Sequence, residues 1–141
     1  MGAEFRSSEE FRTVMDRVFS MMSEDPEMGP KLRDADVPMR YEFTDVDLVA
    51  NIRAATDDED GNLHWEWTDD VAWEPKVKMA MSSETANRYF QGKENVAVAL
   101  ARRRIKSGGD VKAALSLIPI TKPVYGRYRA LVEEEYPHLV V

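Results

Sequence analysis

Cysteine is absent from this chain. Disulfide cross-links and thiolate chemistry are thereby excluded. Histidine is almost as scarce: with only two residues of this type, a transition-metal site would have to be completed by carboxylates. His64 and His138 stand far apart, and neither has a neighbouring ligand pattern. His64 reads as the polar-face member of a strand and His138 as a solvated residue near the C-terminus, so no metal or other cofactor is expected. Positive charge is also in deficit. Nineteen Lys and Arg against 26 Asp and Glu leave a net charge of −7, which argues against a general nucleic-acid binder because phosphate contacts need clustered cations. No run approaches the ~20 apolar residues of a membrane-spanning helix. The N-terminal stretch MGAEFRSSEE lacks the apolar core of a secretory signal. These absences predict a soluble, cytoplasmic chain.

Catalytic signatures are missing too. Gly-x-Ser-x-Gly does not occur, so a nucleophile elbow is excluded. Gly108-Gly109-Asp110 ahead of a helix could offer backbone N–H groups to an anion, but no phosphate-loop pattern surrounds it and Asp110 would itself fill the cap. The acidic run Thr56 to Asn62 invites a calcium-loop alignment on Gly61, yet the bidentate glutamate would then have to stand where Trp67 is. A solvated hairpin turn accounts for it better. Only carboxylate pairs remain open, because 26 acidic residues allow many spatial pairings.

What is present describes one globular domain. The 141 residues are 43% hydrophobic and 32% charged, enough to bury a core. Ser7 and Glu10 fit a capping box, followed by an apolar stripe of Phe11, Val14, Met15, Val18, Phe19 and Met22 that predicts a helix over about 7–22. Pro26, Gly29 and Pro30 predict a loop over 23–36. From Val37 the period changes to two. Met39, Tyr41 and Phe43 share one face of a first strand; Leu48, Ala50, Ile52 and Ala54 share one face of a second. Asp60-Gly61 marks a hairpin. Leu63, Trp65 and Trp67 then align on a third strand, and Val77, Met79 and Met81 on a fourth. Short connections imply mostly antiparallel neighbours.

Helices follow. One is capped at Ser82 or Ser83, carries Ala86, Tyr89 and Phe90 and stops at Gly92. A short stripe of Val96, Ala99 and Leu100 comes next. Arg102 to Lys106 reads as a fifth strand with Arg102, Arg104 and Lys106 solvated. Asp110 caps a helix bearing Val111, Ala114, Leu115 and Ile118, which Pro119 is expected to end. Thr121 is expected to cap a last helix over about 122–136, with Pro123 in its first turn. The prediction is an α+β fold: one five-stranded, mostly antiparallel sheet covered by helices. Eight methionines are a high count, and this side chain adapts to irregular apolar surfaces. The apolar faces therefore read either as ordinary core or as the lining of a cavity.

Residues 37–118 carry an ordered set of short motifs. Met79-Ala80-Met81-Ser82-Ser83-Glu84 is followed by Phe90-Gln91-Gly92-Lys93, Arg104-Ile105-Lys106 and Gly109-Asp110 before an Ala- and Leu-rich helix. This order resembles the sterol carrier protein (type 2) domain family, whose pattern runs strand to Ser-x-Glu, helix to Gly-Lys, basic strand, and Gly-Asp helix start. The Tyr41-x-Phe43 and Trp65/Trp67 strands are similarly placed. Arg103 stands where the family more often has an apolar residue, Ser107-Gly108 looks like an insertion, and no Ser-Lys-Leu ends the chain.

The resemblance implies a hydrophobic tunnel and non-enzymatic binding or transfer of a small apolar ligand: a sterol, fatty acid, acyl-CoA or phospholipid. It leaves open transient membrane contact, a homodimer, or a lipid-metabolising enzyme as partner. The residues it points to as ligand-binding are Trp65, Trp67, Met79, Met81, Phe90, Leu100, Arg103, Ile105 and Leu115. If Arg103 faced inward with Ala101 and Ile105, burial would demand a counter-charge, from a protein carboxylate in preference to a ligand carboxylate. The C-terminal helix could close the tunnel mouth or form an oligomer contact. Two other classes stay in play: a regulatory or interaction subunit with a filled core, and a small enzyme using a carboxylate. A cavity above ~300 Å³ would favour the first reading, a packed interior with an exposed apolar patch the second, and an unpaired carboxylate inside a pocket the third.

Overall fold

The computed structural model describes residues 4–141. The chain begins with α1 (Ser8–Glu24), whose entire predicted stripe is buried: Phe11, Val14, Met15, Val18, Phe19 and Met22 are at most 6% exposed. Burying each such side chain contributes about 1.5–3 kcal/mol before entropy is charged against it. Ser7 accepts the Glu10 N–H at 3.0 Å. Glu10 reaches back one residue further than the capping-box pattern predicts, to the Arg6 N–H at 3.0 Å.

The predicted loop over 23–36 is largely a helix. Asp25 Oδ1 accepts the N–H groups of Glu27 and Met28 at 2.9 and 2.8 Å, which starts α2 (Met28–Ala35). Pro30 does not stop it, because the first turn contains N–H groups that have no intrahelical partner in any case. Gly29 is required by close approach: a Cβ there would lie 2.6 Å from the Ser23 carbonyl oxygen.

Five strands follow the two helices, with two further helices between the fourth and the fifth: β1 (Met39–Phe43), β2 (Leu48–Ala54), β3 (Leu63–Glu66), β4 (Val77–Met81) and β5 (Ile105–Gly109). They form one mixed sheet in the order β3-β2-β1-β4-β5. Neighbours are antiparallel as predicted except for β1 and β4, which run parallel with Met39 beside Val77 and Phe43 beside Met81. The exception arises because residues 67–76 cross over instead of turning back. Asn51 Nδ2 donates to the Thr68 carbonyl at 2.7 Å, and Arg53 lies 4.8 Å over Trp73, so this segment covers the sheet's outer face. The register puts Met39, Tyr41, Phe43, Ile52, Trp65, Val77, Met79, Met81 and Ile105 together on the inner face.

The fifth strand starts three residues later than predicted. Arg102 to Arg104 form the C-terminal turn of α4 (Val96–Ala101). Arg104 N–H reaches the Ala99 carbonyl at 2.8 Å and Arg103 N–H the Leu100 carbonyl at 3.2 Å, the Schellman pattern, with Arg103 left-handed at φ 60°. Gly92 does the same for α3 (Ser83–Phe90), whose cap is Ser82. Asp110 caps α5 (Val111–Thr121) through the Ala113 N–H at 3.0 Å.

Pro119 does not end α5, since proline retains a helical φ and removes only the bond to the Leu115 carbonyl. Thr121 is not a cap either: its hydroxyl donates back to the Leu117 and Ile118 carbonyls at 3.2 Å. The chain passes through helical Lys122 into α6 (Pro123–Glu135). A short 3-10 turn, Pro137–Leu139, closes the described chain. Among the described residues no helix is long and apolar enough to cross a membrane.

Candidate apolar ligand cavity

Between the inner face of the sheet and α5 lies an apolar cavity of about 90 Å³. Its floor is Met39, Tyr41, Ile52, Met79, Met81 and Ile105. Met22 and Phe19 of α1 with Leu32 of α2 form one end, and Tyr89 and Phe90 of α3 with Val96 form the other. The roof is Ala114, Leu115, Leu117 and Ile118 of α5, with Thr121 at its end. Four of the eight methionines therefore surround one space.

The roof is held lightly. Of the eleven residues of α5 only Ala114 and Thr121 are buried, although the helix is mostly apolar. Leu115 lines the cavity and is still 39% exposed. α6 does not line the cavity; it packs on α1 and α3, where Tyr128 donates to Asn87 Oδ1 at 2.7 Å.

Of the predicted ligand-binding residues, Met79, Met81, Phe90, Ile105 and Leu115 line this cavity. Trp65 is on the cavity's face of the sheet and Trp67, predicted on the third strand, stands just beyond its end; both lie under α1. Their Nε1–H groups both donate to Asp16 Oδ1, at 3.0 and 2.7 Å, and their rings sit 5.7 and 5.9 Å from Phe19. Leu100 packs against the core without reaching the cavity. Arg103 is exposed. An inward Arg103 is ruled out because the residue belongs to the helix-ending turn, not to an alternating strand. It lines a separate polar recess of about 780 Å³ with Arg88, Arg102, Arg104, Lys106 and Glu94, in which Arg104 is paired with Glu94 at 2.8 Å.

Polar groups in the apolar cavity are few. No Asp or Glu is among its lining residues. Arg53 borders it, but its guanidinium is bound bidentately by Glu59 at 2.7 and 2.9 Å. That contact and the Thr56 N–H hold the Glu59 carboxyl down at about 2. The tyrosines were legible only as strand and helix residues, since nothing in their spacing shows which way a hydroxyl points. Burial raises the Tyr41 hydroxyl well above the usual phenol range. Burial, and then the neighbouring Tyr89 hydroxyl, do the same to Tyr125.

Strand order, helix placement and cavity can be compared with known structures. The sterol carrier protein domain 2 of Helicoverpa armigera superposes with a TM-score of 0.54 over 90% of this chain and 96% of its own, at 16% identity. The chain has the sterol carrier protein 2 fold. The UbiJ-SCP2 ubiquinone synthesis protein shares it, with a TM-score of 0.59 over 81% of this chain and 94% of its own, at 6% identity. The same fold recurs inside a longer enzyme, the inverting sec-alkylsulfatase Pisa1 from Pseudomonas sp. There the TM-score is 0.54 at 15% identity, over 64% of this chain, and the match spans only 14% of the sulfatase. No family model matches the sequence, and no curated protein matches it. At these identities the likeness establishes the sterol carrier protein 2 fold and leaves the ligand to be argued from the site.

Proposed function

We propose that this domain binds a small apolar ligand, a lipid or sterol-like molecule, in the cavity under α5 and releases it chemically unchanged. The observation that carries the reading is the apolar space between the Met-bearing strands and a roof helix that is itself apolar and only lightly buried. At about 90 Å³ the space is smaller than the ~300 Å³ typical of small-molecule sites. A ligand of lipid size must therefore displace α5, and the flexible thioethers of Met22, Met39, Met79 and Met81 must repack around it.

The filled-core alternative gains from the small size of the void, and what weighs against it is the sterol carrier protein 2 fold together with the Met-rich apolar lining. A carboxylate enzyme is weaker still, because no carboxylate lines the cavity. Delivery of the ligand to an enzyme is a role that the longer sulfatase makes reasonable, since there the same fold is one part of an enzyme chain.

Native mass spectrometry of protein purified from cells, with lipid extraction, tests the reading together with displacement of a fluorescent fatty alcohol. The wild-type protein is expected to bind the probe. Met79→Trp, which fills the cavity floor, should weaken binding at least about tenfold while the protein still melts cooperatively; overpacking of this kind costs about 1–3 kcal/mol. Absence of both a co-purifying lipid and probe binding would overturn the proposal.

A further inference from the structure

The hydroxyl of Tyr41 is a weakly bonded donor beside an apolar void. Tyr41 stands at the centre of the sheet, between Ala50 of β2 and Met79 of β4. Its ring stacks 6.0 Å from Phe43, which fixes the direction of the side chain. The partner found for its O–H is the thioether of Met39 at 3.6 Å, and thioether sulfur is a weak acceptor. Part of the residue remains accessible although protein surrounds it, and it lines the cavity.

Of the other polar side chains there, Thr121 and Arg53 are occupied. Thr121 donates to two carbonyls of its own helix. Arg53 is bound by Glu59 and also donates to the Ala54 carbonyl at 3.0 Å. Tyr89 packs edge-on against Tyr125 at 5.6 Å, and their hydroxyls are near enough for each to influence the other.

Resting on the lipid-binding reading, we infer that Tyr41 donates a hydrogen bond to a single uncharged oxygen of the ligand, so that the cavity selects apolar alcohols and ketones over carboxylates. A neutral oxygen is a stronger acceptor for this donor than the Met39 thioether and brings no charge with it. A carboxylate in the same place would lie among Met39, Met79 and Phe90 with no free cation to neutralise it, because Arg53 is already engaged. Burying an unpaired charge in such surroundings is strongly disfavoured. The phenol is protonated at neutral pH as any tyrosine is, and burial favours that form further, so it remains a donor at the mildly alkaline pH of the test.

Competition against the bound fluorescent alcohol by dodecanol, dodecan-2-one, dodecane and dodecanoate, at a mildly alkaline pH where the acid is ionised, tests the inference. The wild-type protein should bind the alcohol and the ketone more tightly than either the hydrocarbon or the carboxylate. Tyr41→Phe should weaken the alcohol and the ketone by about fivefold, the worth of one net hydrogen bond, and leave dodecane unchanged. Thermal melting of Tyr41→Phe provides the check on folding. If the probe binds but Tyr41→Phe leaves the ratio of alcohol to hydrocarbon affinity where it was, the assignment to Tyr41 is wrong. If the wild-type protein prefers the carboxylate, neutral-oxygen selection is wrong. If no probe binds the wild-type protein, the lipid-binding reading itself fails and this inference goes with it.

Discussion

At position 103 an arginine occupies the conformation that glycine occupies at position 92. Both residues follow a helix C-cap, both have positive φ, and both close a Schellman turn. Glycine bears this geometry without strain, whereas an L side chain carries a cost of roughly 1–2 kcal/mol. Arg103 is exposed, and no ion pair to it is found among the described residues. Arg103→Gly is therefore expected to stabilise the protein by about 0.5–1 kcal/mol after allowance for the more flexible unfolded chain. A denaturant titration would show this as a higher midpoint at constant slope, and an unchanged midpoint would contradict it. The substitution should also leave selectivity among apolar ligands untouched, because Arg103 stands outside the cavity. Sequence periodicity misplaced this residue for a simple reason. Arg-x-Arg-Ile-Lys alternates like a strand, and a left-handed arginine has no signature of its own.

At the scale of the elements, α5 differs from the rest. α1 buries a full stripe and was legible from spacing alone, as were the inner faces of β1, β2 and β4. α2 was hidden because Pro30 and Gly29 read as breakers. Proline in a first turn forfeits nothing the helix would have used, and the Asp25 carboxylate supplies the missing start signal. In α5 the error ran the other way: Pro119 reads as an end and is an interior residue.

The consequence is a roof helix lacking one backbone hydrogen bond at the point where it covers the cavity. Pro119→Ala is expected to stabilise α5 by up to about 3 kcal/mol, less whatever the unfolded chain regains. The helix should then open less often and admit ligand more slowly. Hydrogen exchange of residues 111–121, measured beside stopped-flow uptake of the fluorescent probe, checks both. Faster or unaltered exchange in the variant would argue against α5 as the movable wall. The candidate site was thus half legible. Methionines on alternating strands announce an apolar face, but which tryptophan lies under α1 and which residue meets empty space depends on packing that periodicity does not encode.

Across the whole molecule, the outer polar recess and the inner cavity divide the chemistry. A chain with a net charge of −7 gathers Arg88, Arg102, Arg103, Arg104 and Lys106 in one polar recess. The interior under α5 holds no charge beyond the committed Arg53 at its border. The outer face of β2 and β3 is sealed by the 67–76 crossover through Thr68 and Trp73.

That crossover also sets an order in time. β1, β2 and β3 form a meander whose strands meet their neighbours through short turns, so they can pair early at little entropic cost. β4 must return from beyond Trp73 to lie parallel to β1, with Met39 beside Val77, and such non-local closure is slow. Two of the six floor residues, Met79 and Met81, arrive only with it. Truncating Met79 to Ala should therefore speed unfolding and leave the folding rate nearly alone, while Ile52→Val should slow folding measurably. Equal effects on both rates from the two positions would show that the sheet closes in one step. If β4 and β5 do come after the meander, the candidate cavity does not exist until the chain is almost folded, and an apolar molecule present during synthesis would meet it only at a late stage.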